Sequence, residues 1–246
     1  MNLKINGFYD KPLFSFYFLL TILIVLMMNS NLSSQNLPDS LRYRANKNYQ
    51  LQNEMYDAYK TKQADIVMLG NSLTHGANWN ELLGRQSVVE RGIPSDVLPG
   101  FIARVNNVIK LKPKIVFVMG GLNDIYSWSN VNDIFNQYVK LITILKTNNI
   151  IPVIQSTTFA TKDYAKDYGG TVESNLSRNQ EVLKLNKLLA DYAQKNKIDF
   201  IDLTSQITTR DGFLRSDLTW DGIHFRASAY KIWAREVEKI LNKYKL

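Results

Sequence analysis

Apolar residues fall into two rhythms along this chain. Short runs, ADIVMLG (64–70), SVVERG (87–92), KIVFVMGG (114–121), IIPVIQST (150–157) and IDFIDL (198–203), alternate with stretches in which apolar side chains recur every three or four positions. Continuous apolar runs suit strands covered on both faces, which is the pattern of a parallel sheet. The helical rhythm is carried by Phe101, Ile102, Val105, Val108 and Ile109, by Val182, Leu185, Leu188, Leu189 and Tyr192, and by Tyr230, Trp233, Val237, Ile240 and Leu241. Strand and helix in alternation predict an α/β fold, a doubly wound three-layer α/β/α sandwich on a five-stranded parallel sheet. A polar helical lead-in over Ser40–Lys62 precedes it. The long irregular stretches Phe159–Thr171 and Thr208–Phe225 are expected near a site, because loops carry function in such folds.

One segment breaks this pattern. Leu13–Met28 is sixteen residues without a charge, preceded by Lys4 and Lys11 and followed by the polar stretch NSNLSSQNLPDS. Its length lies between a signal-peptide core and a spanning helix. Residues 1–34 are therefore expected to be a signal peptide or an N-terminal membrane anchor, with possible membrane attachment through 13–28. Basic residues before the segment would keep that end inside and send the body outward, making it extracytoplasmic. The lead-in then spans 35–62 and the main domain 63–246.

Composition narrows the function. The formal charge is +8; removing Lys4, Lys11 and Asp10 with the leader leaves 28 basic and 21 acidic side chains, a net +7. The basic residues are interleaved with acidic ones and form no long run, so nucleic acid is not an expected partner. With no cysteine and two histidines, thiolate catalysis and disulfides are excluded and a dedicated zinc site is not expected.

In an open parallel sheet, ligands bind beyond the carboxyl ends of the strands. Gly70-Asn71-Ser72-Leu73-Thr74 follows the first run, Arg91-Gly92-Ile93 the second, and Gly121-Leu122-Asn123-Asp124 the third. Asp221-Gly222-Ile223-His224 precedes the last helix. A serine hydroxyl needs a base within hydrogen-bond reach, and His224 sits three residues from a carboxylate that can orient it. The candidate catalytic set is therefore Ser72, Asp221 and His224. An oxyanion needs donors already in place, for which the candidates are the N–H of Ser72, the N–H of Gly92 and the side-chain amide of Asn123. Pro94 restrains the loop after Gly92, which makes that N–H the weakest of the three.

Together these blocks resemble the SGNH hydrolases, or GDSL-type esterases, whose blocks centre on a Ser in Gly-Asp-Ser-Leu, a Gly, an Asn in Gly-x-Asn-Asp, and Asp-x-x-His. The resemblance runs from about Ala64 to Leu241. The run GNSLTHGANWNELL followed by RGIPSDV looks most like the subgroup of platelet-activating-factor acetylhydrolase-like and sialate O-acetylesterase-like enzymes. It implies a flavodoxin-like sheet, removal of small acyl groups from sugars or lipids, and no cofactor. Two departures stand out: Asn71 replaces the usual Asp, and Ile93-Pro94-Ser95-Asp96 replaces a glycine-rich stretch.

The resulting expectation is a serine esterase acting on carboxylic esters, foremost O-acetyl groups on carbohydrate. Alternatives are a lysophospholipase or thioesterase for longer acyl chains, a polysaccharide O-acetyltransferase, and a non-catalytic binding domain. Trp79, Trp128 and Trp220 lie in or near the site loops and are candidates for a substrate-stacking wall. His75 is a rival base, read rather as a polar residue of the first turn. Asp124 is read as a hydrogen-bond acceptor that stabilises its loop.

Overall fold

The computed structural model describes residues 39–246, so the apolar run 13–28 and the rest of the expected leader lie outside the described residues. The five runs form parallel strands β1 (Ile66–Gly70), β2 (Val88–Gly92), β3 (Ile115–Met119), β4 (Ile151–Gln155) and β5 (Asp199–Ile201), in the order β2-β1-β3-β4-β5. This is the expected α/β sandwich. β1 and β3 are buried at every position, as central strands with both faces covered must be. The edge strands β2 and β5 are partly exposed.

The helices are α1 (Lys47–Ala58), α2 (Ser72–His75), α3 (Leu98–Ala103), α4 (Leu122–Tyr126), α5 (Val131–Thr147), α6 (Val172–Asn196) and α7 (Ala227–Tyr244), with short turns between them. Strand-to-strand crossovers in a parallel sheet are right-handed, which sends the β1–β2 connection to one face and the later ones to the other. The contacts agree. Trp79, between β1 and β2, meets Trp233 of α7 edge-on with ring centres 4.7 Å apart. On the opposite face α3 packs on α5, and α5 on α6. Among the described residues, no helix is long and apolar enough to cross a membrane.

Two details depart from the simple pattern. The apolar spacing from Phe101 to Ile109 suggests one helix, but the helix breaks at Arg104, where α3 ends and a short turn, Asn106–Ile109, follows. The break serves Arg104, whose side chain is buried and hydrogen-bonded, as described below. The helical lead-in also packs against the body, which its polar sequence does not announce. Tyr56 on α1 is buried and its hydroxyl donates to the Gly92 carbonyl at 2.6 Å.

Register aligns the strand ends that matter. Gly70 lies opposite Gly92 on one side and Met119 on the other. The chain order reverses between β1 and β3, the switch point at which doubly wound sheets form their ligand crevice. Ser72, the loop after Gly92 and Asn123 all leave the sheet there.

Candidate active site

Ser72 opens α2 immediately after β1. The Asn71 side chain accepts the Leu73 N–H at 3.0 Å, capping the turn. That explains why an amide serves where an aspartate is usual: the cap needs only the oxygen. Gly70 lets α2 approach the sheet, since a Cβ there would stand 1.9 Å from Thr74 Oγ1 and 2.9 Å from the Met119 carbonyl.

The loop before α7 brings the base. Gly222 takes φ of +98°, a conformation open to glycine but strained for other residues. The turn folds back so that Asp221 Oδ1 accepts the N–H groups of Ile223 at 2.9 Å and His224 at 2.7 Å. The His224 Nδ1–H donates to Asp221 Oδ2 at 2.6 Å. Nε2 is then left as acceptor for the Ser72 hydroxyl, 2.9 Å away across 152 positions of sequence. Burial alone would push the Asp221 carboxyl up, but the bonds from the His224 ring and the two backbone N–H groups outweigh it and hold the group below its ordinary value. The carboxylate is thus ionised and fixes the tautomer. Trp220 stacks on the imidazole, ring centres 5.6 Å apart and 20° between planes.

Asn123 follows β3 on α4, and one N–H of its amide donates to the Asp96 carbonyl at 2.8 Å. An amide carries two such hydrogens, so one remains. Asp124 is buried and Oδ1 accepts the Leu98 N–H at 3.0 Å, a loop-stabilising role as its position in the turn suggested. Arg104 joins these loops from beneath. Nε donates to Asp96 Oδ2 at 2.8 Å, Nη1 to the Arg91 carbonyl at 2.9 Å and Nη2 to the Gly70 carbonyl at 2.9 Å. Burial pushes the Asp96 carboxyl up to about 6, against the pull of the Arg104 guanidinium.

Two expectations need correction. The Gly92 N–H is engaged by the Glu90 carboxylate, so it is not an open donor in this arrangement. The N–H that stands open in this loop belongs to Ser95, whose φ is +61° and which has no acceptor among the described residues. It directly precedes Asp96, whose carbonyl holds Asn123. Trp79 is 1% exposed, with its indole N–H donating to the Thr74 carbonyl at 2.8 Å; it is a core residue, not a wall of the site. Trp128 and Trp220, by contrast, are 72% and 65% exposed. His75 turns toward Glu90, 3.6 Å away, rather than toward the Ser72 hydroxyl, and donation from its ring to the Glu90 carboxylate raises its pKa. Among the described residues, no group of three or more His, Asp or Glu side chains is arranged to hold a metal ion.

A hydroxyl, an imidazole and a carboxylate in series, beside free N–H donors, is an arrangement competent for acyl transfer. The comparisons with known proteins point the same way. The chain is 24% identical over 202 residues to the N-acylneuraminate cytidylyltransferase of Streptococcus agalactiae serotype III (strain NEM316), a match covering 82% of this chain and 45% of that protein. The chain thus spans less than half the length of the curated relatives it matches. Among solved structures, it superposes on a GDSL-like lipase from Bacteroides thetaiotaomicron VPI-5482 with a TM-score of 0.68 at 22% identity, covering 80% of this chain and 98% of that one. It superposes on an acetyl xylan esterase with a TM-score of 0.57 at 18% identity, covering 72% and 98%. These likenesses establish the fold. A model of the GDSL-like Lipase/Acylhydrolase family matches residues 68–232, from β1 through the Asp221–His224 turn and into α7. The chain belongs to that family.

Proposed function

We propose that this protein is a serine esterase that removes small acyl groups, acetyl foremost, from carbohydrate. The observation that carries the reading is the unbroken Ser72–His224–Asp221 series at the switch point of the sheet. Ser72 Oγ attacks the acyl carbon while its proton passes to His224 Nε2. The tetrahedral oxyanion is held by the N–H groups of Ser72 and Ser95 and by the second amide hydrogen of Asn123. The intermediate collapses, the bond to the alcohol oxygen breaks, and Nε2–H returns the proton to the leaving alcohol. Water, deprotonated by the same imidazole, then attacks the acyl-serine and releases the acid. Asp221 holds the tautomer and stabilises the imidazolium.

A carbohydrate leaving group is supported by the exposed aromatic rim. Trp220 stands in solvent against the imidazole, a flat apolar surface of the kind on which sugar rings stack. The acetyl xylan esterase among the structural neighbours, and a curated relative named for N-acylneuraminate, are consistent with sugar chemistry. Cytidylyl transfer is not carried over, because the matched region is less than half of that relative and the hydroxyl–imidazole series serves acyl transfer. The apolar run 13–28 supports export, or anchoring with the body facing outward.

The test is hydrolysis of a panel of O-acetylated sugars and of 4-nitrophenyl esters of increasing chain length, with Ser72→Ala as control. An optimum at acetyl, release of free acetate and loss of turnover in the control are expected. An optimum at long acyl chains contradicts the acetyl assignment.

A further inference from the structure

Beside these groups, Arg178 carries a charge that no carboxylate matches among the described residues. Arg178 on α6 places its guanidinium carbon 4.3 Å from the ring centre of Tyr126 and 4.3 Å from that of Trp128. Nη1 donates to the carbonyls of Tyr126 at 3.0 Å and Ile125 at 3.4 Å. Nε and Nη2 have no acceptor, and the guanidinium has no carboxylate in ion-pair range, among the described residues; neither nitrogen is buried. A guanidinium held against aromatic faces, with one edge open, is preorganised for a planar anion.

Its position ties it to the reaction. The carbonyls it grips end α4, and Asn123 lies three residues earlier on that helix, about 4.5 Å along the axis. On the other side Tyr126 meets Tyr164 edge-on, ring centres 5.5 Å apart. Tyr164 backs onto Gly222, between Asp221 and His224. Asn175, one turn before Arg178 on α6, fixes that segment by donating to the Tyr164 carbonyl at 2.9 Å. The Tyr164 hydroxyl is pushed up first by burial, then by the charge of Asp221, and is pulled back by Arg178, so both charges reach it. Trp128 completes the outer face with a backbone φ of +61°, uncommon for a bulky residue.

We propose that the open edge of Arg178 receives a carboxylate carried by the ester substrate, so that the enzyme favours O-acetylated acidic sugars over neutral ones. This deepens the esterase reading and rests on it. The arm that forms the bond to Arg178 is the leaving alcohol, and the acetyl group plays no part in it.

The test compares O-acetylated galacturonic acid with its neutral carboxamide. The wild-type protein should favour the acid by about 10- to 100-fold in kcat/KM, carried by KM, as expected for a charge-assisted hydrogen-bonded pair. In Arg178→Gln the acid-to-amide ratio should fall to near one, whatever happens to the rate common to both. A wild-type ratio near one, or a ratio unchanged in the variant, overturns the proposal. The wild-type comparison needs no variant, so a poorly folding Arg178→Gln leaves the test standing. Ser72→Ala run alongside separates the two readings: activity persisting there sinks the nucleophile assignment, while a lost ratio with Ser72-dependent turnover sinks only the anion site.

Discussion

Arg104→Met removes a side chain that is 1% exposed while its partner Asp96 is 0% exposed, so the change leaves a carboxylate with no counter-charge in a dry site. Breaking a buried pair from one side typically costs about 3–5 kcal/mol. Both carbonyls that Arg104 grips belong to the β1–β2 ladder, and the Gly70 carbonyl keeps the Ile93 N–H at 3.1 Å, so the uncompensated Asp96 charge carries most of the loss. Asp96→Asn added to Arg104→Met should therefore recover most of it. For a domain of this size the single variant should lower Tm by roughly 6–20 °C. The assay is urea denaturation at pH 7 and again at pH 5, where the lone carboxyl takes up a proton and the deficit should narrow. A destabilisation under about 1 kcal/mol, or one that grows on acidification, refutes the reasoning.

Other consequences can be checked on the same protein. Asn123→Ala should lower kcat by about 10²–10³ with a smaller change in KM, because one oxyanion donor is lost; steady-state kinetics on 4-nitrophenyl acetate reads it, and a loss under threefold argues that Asn123 does not face the oxyanion. The Asp221 carboxyl is depressed, so its contribution to stability is present above about pH 4 and is lost as pH falls through the lowered value. The stability gap between wild type and Asp221→Asn should therefore shrink between pH 6 and pH 3. Asp96 has the opposite sign: raised to about 6, its contribution is fullest below about pH 4 and is lost as pH rises through about 6. Gly222→Ala should cut activity sharply while the fold persists. A Cβ there stands 2.6 Å from Thr161 Oγ1 at a φ of +98°, and the turn that aims His224 must shift; wild-type kcat/KM in that variant contradicts the account.

The sheet was legible because each strand is a continuous apolar run, and the site because an open parallel sheet gathers its chemistry at strand ends. Ser72, Asn123, Asp221 and His224 could be found that way, each next to a strand end or the last helix. What escaped has a common cause: it depends on where a side chain or N–H points, which spacing does not encode. Glycine at 92 suggested a backbone donor, but Glu90 occupies that N–H and the open one sits at Ser95, a non-glycine in a left-handed conformation with no local signal. Trp79 lies close to Ser72 in sequence, yet its short turn faces inward against Trp233. Arg104 reads as a polar interruption in an apolar helix, while its buried pairing with Asp96 joins three loops. An Asp-Val-Leu-Pro run eight residues ahead of an arginine carries no pattern that announces such a pair.

The central claim is that the hydroxyl of Ser72 is made nucleophilic by His224. It is tested most directly by reacting the folded protein with a fluorophosphonate and locating the adduct by peptide mass spectrometry. One phosphonyl group on Ser72, absent in Ser72→Ala and formed far more slowly in His224→Ala, is the result this account predicts. A folded wild-type protein that is left unlabelled, or is labelled at another residue, contradicts it.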